Sequence, residues 1–265
     1  MSDPVSWAQL AALERARRTF VLCTVTDTGG STPRLAGARM AVLPDDFRGT
    51  IGGGAVEQHV QRAARRLLAD PATSTQIWSA HLVRDLGMCC GGQMRVFMEK
   101  IEPAPRLWIY GAGHVGTALA AAAHAVDFEV TVIDPRAEWA APARFPPGVT
   151  VVDAEPEDHL KAHPPPPDAL VVVVTHDHPL DEALIRGLLT GEPRRYVGLI
   201  GSRGKWARFR ERLAARGVDA DRLEAVRCPV GLDLGAETPS EIAVSIVAEL
   251  VRERRGPKRA PEKWR

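Results

Sequence analysis

Cysteine is scarce in this chain: Cys23, Cys89, Cys90 and Cys228 are the only four in 265 residues. A disulfide scaffold is thereby excluded, the more so because two of the four are adjacent, and any sulfur chemistry is that of reduced thiols. Long apolar runs are missing too. A run such as 169–174 (ALVVVV) falls far short of the ~20 residues that span a bilayer, and the opening Met-Ser-Asp-Pro-Val-Ser-Trp lacks the basic-then-apolar order of a signal peptide. A cytoplasmic protein without membrane contact is expected. Charge of one sign is also lacking, since 34 Lys and Arg face 33 Asp and Glu for a net +1. That balance gives no general pull toward nucleic acid or anionic lipid, so any anion site must be local. Nothing recurs at a period of ~20–50 residues, which excludes solenoids and propellers.

What is present is an ordinary globular composition, 45% hydrophobic and 25% charged, in a chain long enough for two domains. The boundary lies at 102–106 (EPAPR), where two prolines disfavour helix and sheet interior alike. Residues 1–102 form the first domain, 106–251 the second, and the basic segment 252–265 reads as a solvated tail. In the first domain a helix places Trp7, Leu10 and Leu13 on one side, followed by a β-branched strand at 19–26. Short strands at 38–43 and 48–51 flank a turn at 44–47, a helix covers 55–68, and strands near 76–80 and 93–100 complete an α+β unit.

After the boundary the pattern changes to strands near 107–110, 129–133, 149–152, 169–175 and 196–200, with helices near 115–125 and 180–189. Such alternation predicts a doubly wound parallel sheet, an α/β domain of the Rossmann type. The prolines at 164–167 form a stiff spacer within it. The last helix starts at Thr238-Pro-Ser-Glu241 with a capping box and turns Ile242, Ile246, Val247 and Leu250 inward.

Several segments carry chemistry. Gly111-Ala-Gly113-His114-Val-Gly116 follows a strand and opens a helix, and Asp134 ends the next strand. This is the dinucleotide fingerprint, with glycines for the turn, the phosphate approach and helix packing, and an acid for a ribose diol. His176 and His178 lie beyond another strand end, where they can act as proton carriers or metal ligands, or simply fill a polar loop. Ser202 and Lys205 mark a second strand-to-helix turn fit for an anion or for a charged surface. Cys228 reads as a packing residue.

The first domain holds three glycine clusters: Gly29-Gly-Ser31-Thr-Pro-Arg34, Gly52-Gly53-Gly54 with Glu57, and Cys89-Cys90-Gly91-Gly92. They exceed what turns alone need and could line a phosphorylated ligand with backbone amides, Arg34 adding a forked donor. The paired thiols admit three readings: soft-metal ligands, sulfur-handling groups, or small packing residues.

Taken in order, these segments resemble the XdhC/CoxI family of accessory proteins for molybdenum hydroxylases. The resemblance rests on GGSTPRLAGARM at 29–40, GTIGGGAVE at 49–57, GMCCGG at 87–92, YGAGHVGTAL at 110–119, VIDPR at 132–136, THDHPLD at 175–181, VGLIGSRGKWARF at 197–209 and CPVGLDLGAETPSEIAVSIVAEL at 228–250. It implies a non-enzymatic chaperone that binds the molybdenum cofactor (molybdopterin), protects it during sulfuration and inserts it into apo-xanthine dehydrogenase. The implied partners are the molybdenum-binding subunit of that dehydrogenase and a cysteine desulfurase, and Cys89 and Cys90 become the candidates for touching molybdenum. Met88 departs from the pattern, which has a polar residue such as glutamine there. A homodimer is the default assembly. NAD or another nucleotide at the Rossmann domain, in an NAD-dependent oxidoreductase, is the alternative.

Overall fold

The computed structural model describes residues 3–87 and 91–256, and the chain divides into two compact units between Pro103 and Ala104. The first unit opens with α1 (Trp7–Arg15), capped by Ser6 in a reciprocal box with Gln9. Then follow β1 (Phe20–Gly29), β2 (Arg39–Val42), β3 (Phe47–Gly49), α2 (Gly54–Ala69), β4 (Thr75–His81), α3 (Leu82–Leu86) and β5 (Gln93–Ile101). The sheet is antiparallel in the order β3-β2-β1-β5-β4. Alternation along the central strands sends Val21, Cys23, Val25, Val96 and Met98 to the face that α2 covers with Val56, Val60, Ala63 and Leu67. The opposite face buries Phe20, Ala41 and Leu43 against Val5 and Leu10.

Trp7 departs from expectation. It is 67% exposed and carries the Arg39 guanidinium 4.1 Å above its ring. Val5, buried and donating to Arg39 O at 2.9 Å, already fills the core where the chain enters the helix, so the turn that follows leaves Trp7 outside.

The second unit contains β6 (Arg106–Tyr110), α4 (His114–His124), β7 (Glu129–Asp134), β8 (Thr150–Asp153), α5 (Pro156–Ala162), β9 (Leu170–Val173), α6 (His178–Thr190), β10 (Tyr196–Leu199), α7 (Arg203–Ala215), α8 (Ala220–Glu224), β11 (Val226–Arg227) and α9 (Pro239–Arg255). Its sheet is parallel throughout, in the order β11-β10-β9-β6-β7-β8. The fold is thus an α+β unit followed by a Rossmann-type doubly wound sheet. Strand β9 (LVVV) is buried along its whole length, as a central parallel strand covered on both faces must be. One core joins α4 and α9 to the sheet and the other joins α6 and α7.

Helix α9 runs to Arg255, into the segment read from sequence as a tail. Arg254 donates to Val126 O at 3.3 Å, Arg195 donates to Glu253 O at 2.9 Å, and basic residues at a helix C-terminus suit its dipole. The remainder of that segment, 257–265, lies outside the described residues. No helix among the described residues is long and apolar enough to cross a membrane.

Candidate functional site

Antiparallel pairing gathers the glycine clusters of the first unit at one end of its sheet. Gly29, the last residue of β1, pairs with Gln93, the first of β5, and Gln93 also pairs with His81 at the end of β4. The loops that leave these strands therefore begin side by side. A Cβ at Gly92 would lie 2.4 Å from Ser31 O and 2.5 Å from Gly29 O, closer than any side chain tolerates. A Cβ at Gly52 would lie 2.7 Å from Pro33 Cβ, and Gly52 also has φ +131°, a region that favours glycine. The loop bearing Ser31 and half-buried Arg34 is thus held between the other two. Thr32 Oγ1 donates to Arg34 O at 3.1 Å and closes its turn.

Glu57 faces inward to its own loop. Its Oε2 accepts from Ile51 N at 3.2 Å and Gly53 N at 3.1 Å, and from the Thr50 hydroxyl, so the carboxylate pins the turn into α2 that carries Gly52, Gly53 and Gly54. Gly91 has open space around it. Met88, Cys89 and Cys90 lie outside the described residues, so the expected thiol contact to a metal has no placement here. Among the described residues no three His, Cys, Asp or Glu side chains come together as a metal site.

In the second unit the chain runs from β6 outward through β7 and β8, then returns to β9 on the other side of β6. The carboxyl ends of β6 and β9 mark the topological switch point where such sheets bind ligands. Gly111, at φ +113°, brings its turn against the strand end, with a Cβ position only 2.5 Å from Val174 O. Gly116 packs α4 onto the same turn, its Cβ position 1.9 Å from Gly111 O, whereas Gly113 has nothing within 4 Å.

Asp134 is 2% exposed. It accepts from Ala112 N at 2.7 Å, Arg136 N at 3.0 Å, Arg136 Nε at 2.8 Å and Arg136 Nη2 at 2.7 Å. Burial opposes its charge, yet the Arg136 guanidinium and the two amides hold the carboxyl below the usual range. Both oxygens are engaged within the chain, whereas the fingerprint predicts them facing a ribose. Exposed His114 sets its ring edge-on to Trp139 at 4.9 Å, and Arg144 lies 4.3 Å over the same indole.

His176 and His178 are exposed, and Asp177 between them caps α6 by accepting from Leu180 N at 3.1 Å. Ser202 caps α7, accepting from Lys205 N at 3.1 Å. Lys205 itself turns inward: Nζ lies 2.5 Å from Asp181 Oδ2 and 3.0 Å from Ile200 O, and Thr175 Oγ1 donates to Asp181 Oδ1 at 2.6 Å. Sequence reasoning does not anticipate this buried pair. Its signal is the spacing, since Lys205, Phe209 and Leu213 share one helix stripe, as do Asp181, Ile185 and Leu188.

Cys23 is fully buried, and burial pushes its thiol up to about 12. Burial likewise pushes the Cys228 thiol up to about 11. Neither is a thiolate at neutral pH, in keeping with packing roles.

Residues 107–250 match the XdhC Rossmann domain, and residues 13–77 match the XdhC and CoxI family. The uncharacterized protein YqeB of Escherichia coli (strain K12) is 33% identical over 251 residues, 93% of this chain and 46% of that protein. A protein of Bacillus subtilis (strain 168) named as a probable subunit of xanthine dehydrogenase is 35% identical over 160 residues, 60% of this chain and 46% of that protein. The chain spans about half the length of these relatives. A crystal structure described as a xanthine dehydrogenase from Bacillus halodurans has the same fold, with a TM-score of 0.54 over 97% of both chains at 22% identity. Matched in both units, and over more than half of its length by the XdhC Rossmann domain alone, the chain belongs to the XdhC and CoxI family.

Proposed function

We propose that the chain carries the molybdenum cofactor as cargo and delivers it to apo-xanthine dehydrogenase, acting as a chaperone. The observation that carries this reading is the meeting of three glycine loops at one end of the first unit's sheet, where Gly92 abuts Ser31 and Gly52 abuts Pro33. The paired thiols Cys89 and Cys90 directly precede Gly91 in the sequence. A pterin phosphate calls for backbone donors and a cation, which the loops and Arg34 supply. Molybdenum with its sulfur ligands suits soft thiolates. The relative named for xanthine dehydrogenase supports that recipient. On this reading a cysteine desulfurase provides the terminal sulfur while the chain shields its cargo, and the carrier works as a homodimer.

The test is expression in a host that makes molybdenum cofactor, purification without oxygen, and measurement of bound molybdenum together with the fluorescence of the oxidised pterin. Near-equal metal and pterin, both falling in the Cys89→Ser/Cys90→Ser double variant, are expected. Absence of both from the wild-type protein, in a host with proven supply, would refute carriage.

A further inference from the structure

The sequence as a whole is nearly neutral, but its charge is unevenly spread. Helix α7 and the turn after it present Arg203, Lys205, Arg208, Arg210, Arg212 and Arg216 against the single acid Glu211. Two adjoining cavities of about 610 Å³ and 640 Å³ lie along α6 and share Ala183, Arg186 and Arg216. One opens toward α7 and the other toward α5. Together they form a trough that follows α6 from Pro179 to Gly191, roughly 20 Å at the helical rise.

Its floor is apolar, with Leu160, Gly187, Phe209 and Val218. Its walls are cationic. Glu182 neutralises Arg212 and Arg216 at 2.5 Å and 3.0 Å, but Arg186 and Arg208, both exposed, have no acidic partner among the described residues. Arg208 makes only a long bond to its own helix, Nε to Gly204 O at 3.4 Å.

We infer that this trough is a docking groove for an acidic polypeptide segment of a partner protein. The segment seats apolar side chains on the floor and offers carboxylates to Arg186 and Arg208. Forked guanidiniums pair with carboxylates through two parallel bonds, and the pairing strengthens when the groove is covered. A small anion would answer the charge without using the apolar floor or the length. A nucleic acid would meet Glu157 and Glu182 on the walls. The inference is independent of the cargo reading, because no residue of the trough belongs to the glycine loops.

The experiment uses the full chain and a fluorescein-labelled peptide with leucine at every third or fourth position and glutamate between, followed by anisotropy. Binding that weakens as salt rises from about 50 to 300 mM is expected. Arg186→Glu/Arg208→Glu should weaken it at least ~10-fold, about the size expected for losing two charge-assisted contacts. The reversed variant should instead bind a peptide with lysine in place of glutamate, and its melting temperature should match wild type because neither arginine holds a structural ion pair. No binding of the glutamate peptide, or binding indifferent to the reversal, would overturn the inference. So would pyrophosphate or an oligothymidylate competing as strongly as the peptide, since either would identify a different ligand class.

Discussion

The buried pair between Asp181 and Lys205 invites a quantitative test. Both side chains are nearly sealed from water, at 0% and 8% exposure, and they tie the loop after β9, both helix starts and the end of β10 through Thr175, Asp181, Lys205 and Ile200. Lys205→Met removes the cation and leaves the carboxylate buried with only the Thr175 hydroxyl. Breaking such a pair by deleting one partner costs ~3–5 kcal/mol, and the lost bond to Ile200 O costs about 1 kcal/mol more. A total near 4 kcal/mol lowers the melting temperature of a unit this size by roughly 8–16 °C. Asp181→Asn/Lys205→Met leaves no buried charge, so at least half of that loss should return. The assay is thermal and urea unfolding of the full chain, with amide exchange of β9 and β10 reporting the local effect. A single-variant cost under ~1 kcal/mol, or costs that simply add in the double variant, would refute the argument that the pair is coupled and desolvated.

Further outcomes follow from the same geometry. Glu57→Ala frees the amides of Ile51 and Gly53 from their acceptor, and should cost ~1–3 kcal/mol while raising amide exchange across 50–54. Burial, and then the neighbouring His163, hold His159 below its ordinary value, so the unfolded chain takes up that proton first. Stability is then full above a pH of about 6.5 and declines on acidification through it; His159→Gln should flatten the slope, and an unchanged slope would rule this residue out as its source. Because Asp134 spends both oxygens on Ala112 and Arg136, calorimetry with NAD at ~1 mM should detect no binding, a ribose diol having to displace a bidentate ion pair. Gly91→Ala meets open space and should leave the melting temperature unchanged, whereas Gly92→Ala meets Ser31 O and Gly29 O and should destabilise the first unit; equal melting temperatures would contradict the loop packing.

Much of the fold was legible because hydrophobic periodicity reports burial directly. The continuous apolar run of β9 and the stripe of α2 each have one solution once covered by a neighbour. Helix α5 was less legible, since its seven residues are too few for a periodic stripe and its start is marked by Pro156 and two acids rather than by an apolar pattern. Trp7 was misleading for a different reason. An aromatic beside a helix start looks like core, but whether it is needed there depends on what Val5 has already filled, which is a tertiary fact.

The candidate site shows where residue type ceases to determine role. Glu57 and Asp134 each stand by a glycine-rich turn, and in sequence each looks like an acid waiting for a ligand. Both are acceptors for the turn itself, Glu57 for the amides before α2 and Asp134 for Ala112 and Arg136. The physical reason is general. A glycine turn exposes unpaired backbone N–H groups, and a carboxylate within reach satisfies them whether or not a ligand ever arrives, so the motif alone cannot separate the two uses. Space around the glycines can. Gly52, Gly92, Gly111 and Gly116 are demanded by their neighbours, because a Cβ at any of them would strike another part of the fold. Gly91 and Gly113 are demanded by nothing within 4 Å. If a ligand approaches either unit along its backbone, these two positions are where the absence of a side chain has no other explanation, and Gly91 is the one that directly follows the paired thiols.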